Sequence, residues 1–131
     1  MSKARDQKIS ENVVKEKKKR ITAEKRKLDA FLKESDSERK KLAIPVVDNL
    51  AFQIVELQDL QEKIVTEGTQ QWWSNGGNQG GYREATHVKT YNVTVKNFQS
   101  LMKVFMDMLP EEERADDKDD FMEFVHNKPG S

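Results

Sequence analysis

The side chains in this sequence best able to act as a group are cations. Lys15, Lys17, Lys18, Lys19 and Arg20 crowd a turn and a half of predicted helix, and Lys25, Arg26 and Lys27 follow a turn later. Neutralising several phosphates of a nucleic-acid backbone takes this density of positive charge. Consecutive positions point all round a helix, so the run forms a collar over a thin apolar strip of Val13, Val14, Ile21, Leu28, Phe31 and Leu32. A solvated helix laced by pairs such as Glu16 with Arg20 is the alternative reading of the same residues. Neither Trp nor Tyr interleaves the cations, so stacking on single-stranded bases is not supported.

Catalytic chemistry has less to work with. The two histidines, His87 and His126, stand in different segments without companion ligands. Glu84 and His87 have the Glu-x-x-His spacing of diiron bundles, but such a site needs a second copy and two further carboxylates. Carboxylates are plentiful, yet none falls on the apolar seams described below, where burial would tune one into an acid or base. With no cysteine there is no thiolate ligand, no cysteine nucleophile and no disulfide framework. The sequence therefore predicts no catalytic residue, no metal site and no cofactor, and a protein that is not an enzyme.

The elements that would carry the cations can be read in order. Residues 1–12 are polar and expected to be mobile, and strong helix formers run from Ser10 to Glu34. Glu34 to Arg39 is a break with Ser35 and Ser37 as candidate caps, Ser35 and Glu38 having capping-box spacing. A second helix either begins near Ile44 or bends at Pro45, then continues to Glu67, where Gly68 suits a C-terminal cap. Its apolar stripe is Val47, Leu50, Ile54, Leu57 and Ile64, interrupted by Gln61. Thr69 to Arg83 reads as a β-hairpin turning at Asn75-Gly76-Gly77-Asn78 and carrying Trp72 and Trp73. That insert lacks the Gly-Lys-Ser/Thr ending of a phosphate loop. The two tryptophans either pack on the helix ends or face a subunit or nucleic acid.

Thr86 can cap a third helix that Pro110 stops after Leu109. Its stripe is Val88, Tyr91, Val95, Phe98, Met102, Phe105 and Leu109. Steps of three and four mark one narrow buried seam on each helix. The predicted fold is mainly α: a long antiparallel helical hairpin with a β-hairpin insert, a basic N-terminal helix and an acidic flexible tail. The corresponding segments are 1–41, basic and DNA-binding; 42–110, an oligomerisation domain with its insert at 69–83; and 111–131, acidic. Fifteen Lys and Arg against eight Asp and Glu give the first segment a net +7; five against seven give the second −2; three against eight give the third −5. Ends of opposite charge suggest different partners, with nucleic acid the commonest partner of a basic one.

Two features point to protein partners. Phe52, Val55, Val65, Val93, Val104, Met106 and Met108 lie off the seams, more apolar surface than a lone helical pair covers. Packing against further copies would cover it, and heterologous packing closes into rings that multiply weak basic contacts. The seam residues Val47, Leu50, Ile54, Leu57, Ile64, Val88, Tyr91, Val95, Phe98 and Phe105 are accordingly the candidate oligomerisation set. In the tail, Asp119 or Asp120 can cap a turn that gathers Phe121, Phe124 and Val125, either a partner-binding segment folding on contact or an extra turn packed on its own domain. No apolar run approaches the length of a membrane span and no export signal is recognisable, so a soluble, cytoplasmic protein is expected.

The run Val47-Asp48-Asn49-Leu50-Ala51-Phe52, then Glu56-Leu57-Gln58-Asp59-Leu60-Gln61-Glu62-Lys63-Ile64 with Glu67-Gly68, resembles the small terminase subunit of tailed bacteriophages and their satellites. Asn75-Gly76-Gly77-Asn78-Gln79-Gly80, Tyr91-Asn92, Lys96-Asn97-Phe98 and Met108-Leu109-Pro110 continue the likeness. The opening Ser2-Lys3-Ala4-Arg5-Asp6 with Lys8-Ile9-Ser10 resembles the start of that family in prophages of low-GC Gram-positive bacteria. The resemblance covers Ser2 to about Pro110 and implies a ring-forming, non-enzymatic protein of the bacterial host cytoplasm. Such a protein binds double-stranded viral DNA at the packaging start and recruits or regulates the large terminase ATPase and nuclease. It implies DNA contacts along Lys15 to Lys27, oligomerisation through the paired helices, and engagement of the large subunit by Phe121 and Phe124. The head departs from the helix-turn-helix that family members often carry, being short and poor in apolar residues. The alternatives are a scaffold-like phage assembly protein whose basic and acidic ends pair between copies, and a small DNA-binding regulator.

Overall fold

A stretch rich in Lys, Arg, Glu and Ala, without glycine or proline, forms the first helix, α1 (Lys3–Ala30), in the computed structural model, which describes residues 3–110. The helix begins well before Ser10. Polarity suggests a mobile lead-in there, but Lys3, Ala4, Arg5, Gln7, Lys8 and Glu11 are good helix formers and nothing among them breaks the ladder. Its end is tightened by three-residue bonds, Phe31 N to Leu28 O at 3.1 Å and Leu32 N to Asp29 O at 3.0 Å.

The second helix, α2 (Ser37–Glu67), is capped by Asp36, whose Oδ1 accepts from Arg39 N at 2.8 Å. A carboxylate also complements the positive end of the helix dipole, which neither serine does. Ser35 is instead buried, its hydroxyl oxygen without a hydrogen-bond partner. Pro45 lies inside α2 and neither starts nor ends it. Its ring removes one amide donor, leaving the Lys41 carbonyl open at an exposed position where water can serve it. Gly68 closes the helix at φ +81°, its amide donating to Ile64 O at 2.8 Å.

Strands β1 (Gln70–Ser74) and β2 (Gly80–Glu84) form an antiparallel hairpin in the register Trp72 opposite Tyr82 and Trp73 opposite Gly81. Asn75 holds the turn, its Oδ1 accepting from Gly77 N at 3.2 Å and its Nδ2 donating to Gln79 Oε1 at 2.9 Å. The third helix, α3 (Thr86–Met108), starts from Ala85, which makes no side-chain cap; Thr86 stands inside the helix and accepts from the Thr90 hydroxyl through its carbonyl. The mainly α architecture with a β-hairpin between its long helices is thus present.

Both α1 and α3 pack against α2. The core lies where α1 ends, α2 begins and α3 ends, and gathers Leu28, Leu32, Ala43, Val47, Leu50, Ala51, Phe98, Phe105 and Leu109. At that end the unit is a cluster of three helices rather than a pair. Leu28 in the last turn of α1 and Leu32 in the turn just after it supply the apolar face that two seams alone lacked. The division between residues 41 and 42 falls inside α2, and α1 belongs to the same core as the helical hairpin. Towards the opposite end every residue of α1 from Lys3 to Glu16 is exposed, including Ile9, Val13 and Val14. Among the described residues no helix is long and apolar enough to cross a membrane.

Candidate nucleic-acid interface

The eight cations of α1 from Lys15 to Lys27 divide between its two sides. Lys17 is ion-paired with Glu56 and lies 3.2 Å from Asp59. Arg20 reaches Asp59 at 2.8 Å through Nη1 and donates to Gln58 Oε1 at 2.9 Å through Nη2. Lys25 meets Asp48 at 3.0 Å. These three cations therefore join α1 to α2. The matching carboxylates Asp48, Glu56 and Asp59 recur at helical spacing, a signal that the sequence carries and that apolar stripes alone do not bring out.

The electrostatics of the clamp follow from its geometry. The Glu56 hydrogen bond, with help from Asp59, outweighs desolvation and raises the Lys17 pKa above its ordinary value. Burial alone would push the Asp59 carboxyl up, but the hydrogen bonds from Arg20 and Lys17 prevail and the net shift is downward. Asp29 moves the other way, raised by desolvation and by the nearby Asp48 charge, with Lys25 partly compensating.

The remaining five cations stay towards solvent. Lys15, Lys18, Lys19 and Arg26 share one side of α1 with Thr22 and Ala23. Lys15, Lys18 and Arg26 make no ion pair among the described residues, and Lys19 meets only Glu16 of its own helix, at 3.5 Å. Lys27 pairs with Glu24 at 3.3 Å and is still largely exposed. From Lys15 to Arg26 the stripe is about 16 Å long at the rise of an α-helix. Arginine and lysine on one rigid face, with no acid of another element paired to them among the described residues, can contact a run of phosphates without rearrangement.

The candidate oligomerisation residues are mostly committed within the subunit. Val47, Leu50, Phe98 and Phe105 are buried in its own core, and Ile54, Leu57, Ile64, Val88, Tyr91 and Val95 are half-buried. Gln61, which interrupts the α2 stripe, donates to the Tyr91 hydroxyl at 3.3 Å and so crosses the α2–α3 contact with its polar end paired. Val55, placed off the seam by periodicity, is completely buried on the side of α2 that α1 covers. Phe52, Val65, Val93 and Val104 remain exposed, while Met106 and Met108 pack against the core edge.

The hairpin offers a second surface. Trp72 and Tyr82 meet edge to face with ring centroids 5.2 Å apart, and both are more than half exposed. Trp73 points to the other face and is half-buried. Equal counting outward from Gly77 pairs positions 72 and 82, so the sequence alone could have found this contact. His87 is structural, its ring nitrogen Nε2 lying 2.7 Å from the Gly68 carbonyl. A carbonyl only accepts, so Nε2 carries the proton, tying the start of α3 to the end of α2. Among the described residues no three His, Asp or Glu side chains gather as metal ligands. Phe121, Phe124, Val125 and His126 lie outside the described residues. No protein-family model, no curated protein and no solved structure matches the chain.

Proposed function

We propose that this chain is a small terminase subunit, a DNA-packaging recognition protein. It assembles into a homo-oligomeric ring, binds double-stranded viral DNA at the packaging start, and recruits or regulates the large terminase ATPase and nuclease in the cytoplasm of the bacterial host. The observation that carries the reading is the partition of charge on α1. Lys17, Arg20 and Lys25 hold the helix to its own domain, while Lys15, Lys18, Lys19 and Arg26 lie along the opposite, solvent side.

A helix clamped in this way presents its outer cations as a fixed row, which lowers the entropy cost of meeting a phosphate backbone. Each subunit offers few such contacts, so useful affinity calls for several copies acting together. The exposed Val93 and Val104 on α3 and the Trp72–Tyr82 pair on the hairpin supply apolar surface for the copies to cover. Phe121, Phe124 and Val125 are the segment assigned to the large subunit.

Native mass measurement with and without a duplex DNA fragment tests the proposal. A closed oligomer that binds duplex DNA, with affinity falling steeply as salt is added, is the expected result. A monomer without DNA affinity at low salt would sink it. An oligomer without DNA affinity, dissociating in high salt, would instead favour the scaffold-like assembly protein.

A further inference from the structure

We infer that the solvent side of α1 is also the docking surface for the chain's own acidic tail, residues 111–131, which lies over Lys15, Lys18, Lys19 and Arg26 when DNA is absent. The inference rests on the DNA-binding role proposed for that side, and adds a competitor for it.

Two observations support it. The first is where the described chain ends. Leu109 is buried in one cluster with Leu28 and Leu32, so Pro110 leaves the domain beside the last turns of α1, at the Arg26 end of the basic stripe. The tail therefore begins level with the foot of the stripe, on the core side of α1. Phe121 is eleven residues beyond Pro110, a span that can cover about 36 Å when extended. Only about 20 Å of helix separates the level of Leu28 from that of Lys15.

The second observation is complementarity in both charge and order. Glu111, Glu112 and Glu113 come first, then Asp116, Asp117, Asp119 and Asp120, and last the apolar Phe121, Phe124 and Val125. Read upward from Pro110, this side of α1 offers Arg26, then Lys19, Lys18 and Lys15, and last the half-exposed Val14 beside Glu11, with the exposed Val13 and Ile9 further round the helix. Acid meets base along the stripe, and aromatic meets aliphatic at Val14. Covalent attachment holds the tail near the stripe at a millimolar order of effective concentration, so weak pairs suffice. Because the same cations face phosphates in the proposed complex, tail and DNA exclude each other, and a partner that takes Phe121 and Phe124 uncovers the stripe.

The absence of native cysteine makes the contact directly measurable in the full chain. A nitroxide placed through Asn127→Cys should broaden the amide signals of Val13 to Arg26, and the broadening should vanish in high salt, where such contacts are screened. Broadening confined to the hairpin or α3, or none at all, overturns the inference. Broadening seen only between differently labelled chains in a mixture moves the contact between copies and overturns the within-chain assignment. In the DNA arm, the seven tail acids from Glu111 to Asp120 are changed to Gln or Asn in the full chain. With the stripe covered nine-tenths of the time, duplex affinity should rise about tenfold. Unchanged affinity alongside a clear nitroxide contact would overturn the competition. Contact without DNA binding by either chain would overturn the DNA reading and leave the docking standing.

Discussion

Arg20 Nη1 donates to Asp59 Oδ1 at 2.8 Å, so a residue from the densest basic run of the chain is aimed at its own subunit. Two residues back, Lys18 stands on the other side of the helix with no ion pair among the described residues. Charge density alone ranks the two equally, whereas the fold gives them separate roles.

That separation is measurable by substitution. Lys18→Gln should lower the salt dependence of duplex binding by about 0.9 in log–log slope, one phosphate contact's worth. Thermal stability should stay within about 0.5 kcal/mol, as for most surface changes. Arg20→Gln should do the reverse, costing about 0.2 to 1 kcal/mol of stability and leaving the slope unchanged. Equal slopes for the two variants would place Arg20 on DNA as well.

The α1–α2 clamp also carries a pH signature. Asp59 titrates below its ordinary value of 3.8, so its contribution is present above that value and is lost as pH falls through the lowered folded-state pKa. Lys17 titrates above 10.5, so its contribution is complete below that value and is lost as pH rises through the raised one. Asp29, raised from 3.8, has the opposite sign to Asp59: it loses stability as pH climbs from 3.8 to its raised value. Asp59→Asn should therefore flatten the stability curve below pH 3.8 without changing the Asp29 window above it, as read from denaturation midpoints across pH.

Val104 and Phe105 are adjacent in sequence and opposite in exposure, Val104 being 48% exposed and Phe105 fully buried. Phe105→Ala should cost about 3 to 5 kcal/mol by leaving a cavity among the three helices. Val104→Asp should leave the helix content and melting temperature nearly unchanged while shifting the native mass towards monomer. Val93→Asp, on the same exposed side of α3, is expected to act likewise. Retention of a full oligomer by both variants would exclude this face from assembly. Substitutions at Leu50 or Phe98, both buried, disturb the fold before they can report on assembly.

Gly80 is required by the tryptophan beside it. A Cβ at this position would stand 2.8 Å from Trp72 Cζ2 and 3.0 Å from the Trp73 carbonyl oxygen. Gly80→Ala should drive the indole off its edge-to-face contact with Tyr82, removing about 0.2 to 1 kcal/mol of cross-strand stabilisation. The readout is loss of the ring-current shift on the two aromatic spin systems, with helical circular dichroism unchanged. An unaltered shift would mean that the hairpin relaxes around the added methyl.

Pro45 is a candidate for stabilisation, because proline inside a helix forfeits one backbone hydrogen bond and crowds the preceding turn. Pro45→Ala should raise stability by as much as about 3 kcal/mol, measured as a shift of the denaturation midpoint. No gain would indicate that α2 already accommodates the ring without loss.

Much of this protein is determined by local sequence. Three-and-four spacing marks the seams of α2 and α3, Gly68 and Pro110 mark their ends, and Asn75-Gly76-Gly77 marks the hairpin, because periodicity, positive φ and a missing amide are properties of short stretches. Polarity misleads about the start of α1, because helix propensity does not depend on burial. Other features exist only once the helices have docked. That Leu28, Leu32 and Leu109 share one core, that Val55 is covered, and that Lys17, Arg20 and Lys25 direct their charge at α2 all depend on which side α1 turns to its neighbour. A collar of cations looks the same from every direction in sequence. Packing selects the side that faces acid and leaves the other side facing water.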